Sequence, residues 1–206
     1  MGDSVKEKIV MSTLKLISEK GYKSTTTRNI AEEAGVNEVT IFRCFGSKKD
    51  IVLYALKELE LLKPVNERIL DKCTWDLKED LFMLAQEYHK NFTEEKAKIM
   101  IGLRSPEIFD EVKEYLMKIP KDFKEVLIKY FEKVYEKGLL NTDDFELLAF
   151  AFISLNFGFV LMNASYGNKL IGFSEREFVK KTIEIFAKAI EKSDLSSVKY
   201  GYELQY

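Results

Sequence analysis

The residues best suited to chemistry lie on a short segment, residues 37–45, whose pattern predicts a helix. Within it Glu38, Thr40 and Arg43 are expected to face outward. A guanidinium group carries a rigid fork of N–H donors, and this fork matches the O6 and N7 acceptors of guanine in the DNA major groove. Arg43 is therefore best placed to bind a base edge, and Asn37, Glu38 and Thr40 are further candidates.

A preceding helix and a tight turn would position this segment. Ile30, Ala31 and Ala34 give that first helix an apolar face. Gly35 follows, and glycine often ends a helix because it enters the left-handed conformation at low cost. Asn37 can then cap the second helix with its side-chain oxygen. Two helices joined in this way form a helix-turn-helix, whose second helix enters the major groove.

A longer motif runs through both helices: T-x-R-x-I-A-x-x-A-G-V, followed by T-I-F-R-x-F and S-K. From about residue 9 to residue 56 the chain resembles the DNA-binding signature of the TetR (tetracycline-repressor) family. The resemblance implies an all-α fold, with an N-terminal three-helix helix-turn-helix domain and a C-terminal helical domain for ligand binding and dimerisation. It also implies a homodimeric transcription regulator, usually a repressor that a small molecule releases from its DNA operator.

The resemblance further implies which residues bind the DNA backbone. Thr27, Lys48 and Phe42 match family positions that contact phosphates, and Arg28 lies beside them. Lys48 would act as a point charge, and Thr27 would act through its hydroxyl or its backbone N–H near a helix N-terminus.

Four residues depart from the usual family pattern. Phe42 stands where tyrosine is frequent, and Cys44 stands where histidine or tyrosine is frequent. Val39 replaces a residue that is usually very small, and Glu38 adds a negative charge near the DNA. Together these departures predict weaker or differently aimed DNA contacts.

The composition favours long helices in a globular protein. Of the 206 residues 46% are hydrophobic and 32% charged, and only 10 are glycine and 3 proline. No Val/Ile/Thr alternation predicts a strand. The pattern predicts a DNA-binding domain at residues 1–50, an effector-binding and dimerisation domain at 51–194, and a tail at 195–206. A linking helix, 48–63, is expected to stop at Pro64.

Further helices are predicted in the C-terminal region. One covers residues 75–92, and Thr93 is expected to cap the next. Ser105-Pro106 has the pattern of a helix start, and Pro120 is expected to interrupt or restart the helix that follows. Ser174 to Glu177 form an S-x-x-E capping box that opens the last helix.

The last two helices are each apolar on two sides, which suits a core on one side and a partner subunit on the other. The apolar run Leu147–Met162 is shorter than the roughly 20 residues of a membrane span, so no membrane association is expected. The resemblance to the TetR family implies that this helix pair forms the dimer interface. The interface residues predicted are Ala151, Ser154, Gly158, Leu161, Ile183 and Phe186.

The effector site is less well marked, because aromatic and methionine residues are mostly core residues. Asn156 on an apolar helix needs a partner, which would be a ligand, a water or a neighbouring subunit. His89 is expected to be a solvated helix residue. Few basic residues cluster here, which favours a small, largely apolar effector. The candidate ligand-binding residues are Tyr88, Phe92, Met100, Phe131, Phe152 and Asn156.

Other function classes find little support. With one histidine, no G-x-S-x-G, no phosphate loop and no E-x-x-H pattern, no catalytic residue is predicted and an enzyme is disfavoured. Cys44 and Cys73 form no CxxC pair, so neither a metal nor a cofactor is expected. A helical adaptor that binds only protein is the other alternative. Residues 1–50 carry nine basic against seven acidic residues, a weak sign of DNA contact, and the expected compartment is the cytoplasm.

Overall fold

The computed structural model describes residues 2–58 and 65–192, and the chain is all-α within these ranges. In place of a strand, this part contains a single isolated bridge between Leu140 and Glu191. The predicted fold class is confirmed. Its α-helices are α1 Gly2–Ser24, α2 Thr27–Ala34, α3 Glu38–Phe45, α4 Lys48–Lys57, α5 Leu77–Asn91, α6 Glu94–Gly102, α7 Phe109–Glu136, α8 Phe145–Tyr166 and α9 Glu175–Ile190.

The first three helices form the predicted helix-turn-helix unit. Gly21, with φ of 80°, interrupts α1 near its end. Thr26 caps α2, and Gly35 ends it in the left-handed conformation with φ of 65°. The predicted cap of α3 is also present, since the Asn37 side chain accepts a hydrogen bond from the backbone N–H of Val39 at 2.9 Å.

Helix α4 continues the core of this unit toward the C-terminal helices. Ser47 caps it, as predicted, by accepting from the backbone N–H of Asp50 at 3.2 Å. The described part of α4 ends at Lys57. Pro64 and the predicted tail at 195–206 lie outside the described residues. The proposed domain boundaries therefore stay predictions.

Helix α5 begins at Leu77, two residues after the predicted start at Trp75. Trp75 has a φ of 66°, outside the helical region. The buried carboxylate of Asp80 accepts hydrogen bonds from the backbone N–H groups of Thr74 (2.8 Å) and Trp75 (2.9 Å), and from the Tyr130 hydroxyl (3.3 Å). These bonds hold the chain in its turn before α5.

Two predictions about α7 are wrong. The Ser105-Pro106 pair begins a turn, and the helix itself starts at Phe109. Pro120 does not interrupt it, because α7 runs 28 residues through that position. A proline inside a helix removes one hydrogen bond and costs ~3 kcal/mol or more. Burial of Leu116 and Phe123 on either side offsets this cost.

Helix α8 is longer than the apolar run considered in the sequence. It spans 22 residues, and an 18-residue stretch of it has a mean hydropathy of 2.0, so by length and composition it could cross a bilayer, and the prediction that this segment is too short for a membrane span was wrong. A single helix of this kind is weak evidence, because core helices of soluble proteins share these properties. Here α8 packs along both α6 and α7, while α6 packs along α1.

Candidate nucleic-acid interface and C-terminal cavity

Helix α3 lies at the surface and presents one face to solvent. Its inner residue, Ile41, is fully buried, whereas Val39 is 71% and Phe42 51% exposed. Asn37 and Arg43 are exposed beside them. Within the described part of the chain, no hydrogen bond or ion pair engages the Arg43 side chain. This arrangement is the one that a helix entering a DNA groove requires.

Glu38 and Thr40 were predicted to face outward, but both are half-buried. The reason for Glu38 is a contact within the unit: the Thr27 hydroxyl donates to its carboxylate at 2.5 Å. This bond ties the start of α2 to the start of α3. Because phosphate oxygens only accept hydrogen bonds, the Thr27 hydroxyl would have to leave Glu38 in order to bind one.

Lys48 is held inside the unit in the same way. Its ammonium group donates to the backbone carbonyls of Tyr22 (2.7 Å) and Thr25 (2.6 Å) and lies 3.8 Å from the centre of the Tyr22 ring. Burial lowers the pKa of Lys48, and the nearby Glu107 opposes this. An ammonium has three donors, so one remains for a phosphate.

Arg28 is exposed and pairs with Glu32 one turn along α2, with 3.1 Å between Nε and Oε1. Exposed pairs of this kind contribute only ~0–1 kcal/mol, so the Arg28 guanidinium is easily released to another anion. Arg28 and Arg43 are thus the two cations of the predicted set whose side chains project into solvent.

Val39 is the residue that sequence reasoning missed. The sequence marked it only as a departure from the family pattern, yet at 71% it is more exposed than Phe42, a predicted contact residue that is 51% exposed. Helical spacing could have identified it, because positions 39, 42 and 43 lie at i, i+3 and i+4 and so share one face. An apolar pair, Val39 and Phe42, is suited to contact the methyl group of thymine.

The C-terminal helices line a partly open cavity of about 150 Å³. Its wall contains three of the predicted ligand residues: Tyr88 from α5, Phe92 directly after the end of α5, and Met100 from α6. The remaining lining residues are Arg104, Phe109, Lys113, Leu116, Met117, Ile119, Pro120 and Phe157.

The other three predicted ligand residues do not line this cavity. Phe131 and Phe152 are fully buried, and each ring packs against Phe186, at 6.5 and 5.8 Å between ring centres. Asn156 finds its partners inside the protomer, since its amide donates to the Phe152 carbonyl at 2.8 Å. These three residues belong to the core, so the structure does not support them as ligand contacts.

The prediction that His89 is solvated is wrong, because its side chain is only 1% exposed. Since the Asn156 amide nitrogen donates elsewhere, the Asn156 oxygen is left to accept from His89 Nε2 at 3.0 Å. His89 Nδ1 is then buried without a hydrogen-bond partner among the described residues, 3.5 Å from a Glu175 carboxylate oxygen. Burial lowers the pKa of His89, while Glu175 and Asn156 act in the opposite direction.

Helices α8 and α9 each expose apolar residues: on α8 they lie on the face that contains the predicted interface residues, whereas on α9 the exposed residue Ile185 is not one of the predicted ones. The α9 row that contains Ile183 points inward: Ile183 is 2% exposed, and Phe186 packs on Phe152. The structure therefore does not support Ile183 as a dimer contact, whereas Phe186 is half-buried and its place in the interface stays a prediction. On α8, Ser154 is exposed and Ala151, Gly158 and Leu161 are partly exposed. The large apolar residues exposed on α8 are Leu147, Phe150, Leu155, Met162 and Tyr166, and the one exposed on α9 is Ile185.

Comparison with known proteins gives the family. Residues 9–55 match the model described as bacterial regulatory proteins, tetR family. The HTH-type transcriptional regulator YvkB of Bacillus subtilis (strain 168) is 30% identical over 186 residues, which cover 89% of this chain and 96% of YvkB.

Solved structures share the fold. NalD of Pseudomonas aeruginosa, the secondary repressor of the MexAB-OprM multidrug efflux pump, superposes with a TM-score of 0.71 at 18% identity, covering 92% of this chain and 97% of NalD. The fatty acid degradation regulator FadR of Bacillus halodurans gives 0.64 at 20% identity, covering 89% and 94%. From the match to YvkB along nearly its whole length, together with the helix-turn-helix unit, the chain belongs to the TetR family of transcriptional regulators, which are not enzymes.

Proposed function

We propose that this regulator is a cytoplasmic repressor that binds a two-fold symmetric DNA operator as a homodimer. A small, largely apolar effector in the C-terminal cavity would release it. The observation that carries the proposal is the exposed face of α3, where Arg43 has no partner among the described residues and Val39 and Phe42 project into solvent.

The DNA contacts divide into two groups. Arg43, with Val39 and Phe42, would contact base edges in the major groove, with Asn37 and Thr40 beside them. Arg28, Thr27 and Lys48 would bind phosphates on either side, which fixes orientation without reading sequence. Glu38 contributes indirectly in this arrangement, because its carboxylate holds Thr27.

The exposed apolar residues of α8 and α9 support the homodimer. Phe150 and Leu147, about one turn apart on α8, are 62% and 59% exposed, Ile185 on α9 is 72% exposed, and large exposed apolar patches mark interaction sites. A second copy is the occupant that fits, because a two-fold operator needs two α3 helices held about 34–36 Å apart or somewhat more. The small residues Ser154 and Gly158 along the middle of α8 would let the partner helices approach closely.

The effector proposal rests on the cavity and on its neighbours. Met100 and Arg104 lie at the cavity, and Gly102 between them packs against α1 of the DNA-binding unit. A ligand that prefers one arrangement of α6 would therefore shift the separation of the two α3 helices. NalD, which shares this fold, is described as a repressor of a multidrug efflux pump, and this role is consistent with control by a small molecule.

The test is operator selection from random DNA, followed by fluorescence anisotropy with the selected and a scrambled duplex. Arg43→Ala is expected to cost ~1–3 kcal/mol of discrimination between the two duplexes. Arg68→Ala, an exposed arginine outside the helix-turn-helix unit, is the matched control and should change nothing. A wild-type protein that shows no salt-dependent DNA binding would instead support a helical adaptor.

A further inference from the structure

The cavity is apolar inside and cationic at its mouth. Tyr88, Phe92 and Met100 are buried and form the inner wall. Arg104 is exposed, and Lys113 is half-buried. None of the described residues that line the cavity carries a carboxylate, so the charged groups that a bound ligand would meet are both positive.

The Arg104 side chain has no hydrogen bond or ion pair with any described residue, so none of its five donors is engaged within this part of the chain. Lys113 is paired with Asp110 at 3.2 Å, but the Asp110 side chain is 83% exposed. An exposed pair is weak and screened by salt, and Arg104 is the stronger recognition group because its fork binds a carboxylate through two parallel bonds.

The volume of the cavity fits one ring or a short alkyl chain. A cavity of about 150 Å³ is the size that accepts a benzene molecule. Tyr88 adds a polar group to the inner wall, and burial raises the pKa of Tyr88, so its hydroxyl stays protonated at physiological pH.

Arg104 also belongs to a second surface. It borders the groove between α1 and α6 that contains Ile17, Lys20 and Gly102. A ligand that engages Arg104 therefore acts two residues from the point where α6 touches the DNA-binding unit. A charged ligand bound at Arg104 can therefore affect how α6 packs against α1.

Building on the proposed effector function, we propose that the cavity binds a small aryl or alkyl monocarboxylate. Its apolar part fills the inner wall, and its carboxylate pairs with Arg104 at the mouth. This assigns Arg104 as the residue that determines specificity for an acid over a neutral molecule of the same shape.

Two isosteric pairs test the proposal on the full-length protein by isothermal titration calorimetry: benzoate with benzamide, and hexanoate with hexanamide. Wild-type protein is expected to bind each acid about tenfold more tightly than its amide, the gain of one charge-assisted hydrogen-bonded pair. Arg104→Gln should remove this preference and leave amide binding unchanged, while Arg68→Gln should retain it. Leu116→Trp, which fills the cavity, should abolish binding of all four compounds.

Three outcomes would overturn the proposal: equal affinity for acid and amide, no measurable binding of either acid, or a preference that survives in Arg104→Gln. The proposed function is tested separately, because operator binding by the unliganded protein does not depend on these probes. Amide binding that Leu116→Trp abolishes would still support an effector cavity even if the acid preference is absent.

Discussion

Gly102 of α6 lies so close to Ile17 of α1 that a Cβ atom on Gly102 would stand 2.5 Å from the Ile17 carbonyl oxygen. The backbone at Gly102 is helical, so glycine serves here for the close approach of two helices. Since Met100 and Arg104 on either side line the cavity, this contact joins the cavity wall to the DNA-binding unit.

Gly102→Ala is expected to destabilise the protein by ~1–3 kcal/mol, because the added methyl group forces α1 and α6 apart. Urea unfolding measures the change. Gly172→Ala is the control, since a Cβ at Gly172 meets nothing within 4 Å. If Gly102→Ala is as stable as the wild type, α1 and α6 can move apart to accommodate the methyl group at no cost in stability.

Lys48→Met is expected to lower the stability of the helix-turn-helix unit by ~1–3 kcal/mol, because the carbonyls of Tyr22 and Thr25 lose their donor. The neighbouring Lys49→Met removes an exposed pair with Glu111 and should cost less than ~1 kcal/mol. Thermal unfolding of both variants measures the difference. Equal stability of the two variants would show that Lys48 does not stabilise the unit, which would leave phosphate binding as its only role.

Several local features could be predicted from the sequence because short-range chemistry determines them. Asn37, Ser47, Thr93 and Ser174 each cap a helix by bonding a backbone N–H two or three residues ahead, as their types and positions indicate. The outward position of Arg43 followed from helical spacing alone. The cavity residues Tyr88, Phe92 and Met100 were found because they are large and apolar, a signal that core residues share.

The sequence-based predictions fail where packing between distant segments determines which residues are buried. Helix α9 has two apolar rows at the same spacing, and the rings of Phe131 and Phe152 determine which row faces inward. His89 is buried because Asn156, 67 residues along the chain, lies opposite it. Glu38 is withdrawn from the surface by its bond to Thr27. Periodicity cannot reveal such pairings.

Ile185→Lys is expected to dissociate the proposed dimer and leave the fold intact, since Ile185 is 72% exposed in the protomer. Two-fold symmetry places the change twice in the interface, so the dissociation constant should rise by roughly 100-fold or more. Sedimentation equilibrium measures it, with Lys188→Glu on an exposed part of α9 as a charge control. A variant that remains dimeric at wild-type affinity would remove Ile185 from the interface.

His89 predicts a loss of stability in mild acid. Because burial lowers the pKa of His89 in the folded state, the unfolded chain binds its proton more readily. The contribution of neutral His89 to the free energy of unfolding is therefore complete above the unfolded pKa of about 6.5 and declines as the pH falls below it. The slope of this decline corresponds to the uptake of at most one proton on unfolding.

The chain has one histidine, so a single pair of imidazole resonances in an NMR titration reports its pKa directly. Melting temperatures between pH 7.5 and 5.0 measure the stability. His89→Gln should flatten this part of the profile. An imidazole that titrates at or above its ordinary value would show that Glu175, 3.5 Å from Nδ1, outweighs burial.

Glu38→Gln is expected to strengthen DNA binding. The amide keeps an oxygen to accept from the Thr27 hydroxyl, so the tie between α2 and α3 survives, while a negative charge close to the phosphates is removed. Affinity for operator and scrambled DNA should rise by a similar factor, largest at low salt, because the effect is electrostatic and carries no sequence information. Fluorescence anisotropy at several salt concentrations measures it, with the exposed Glu146→Gln on α8 as the control. If Glu38→Gln instead weakens operator binding alone, the carboxylate itself accepts a hydrogen bond from a base, as at the N4 amino group of cytosine.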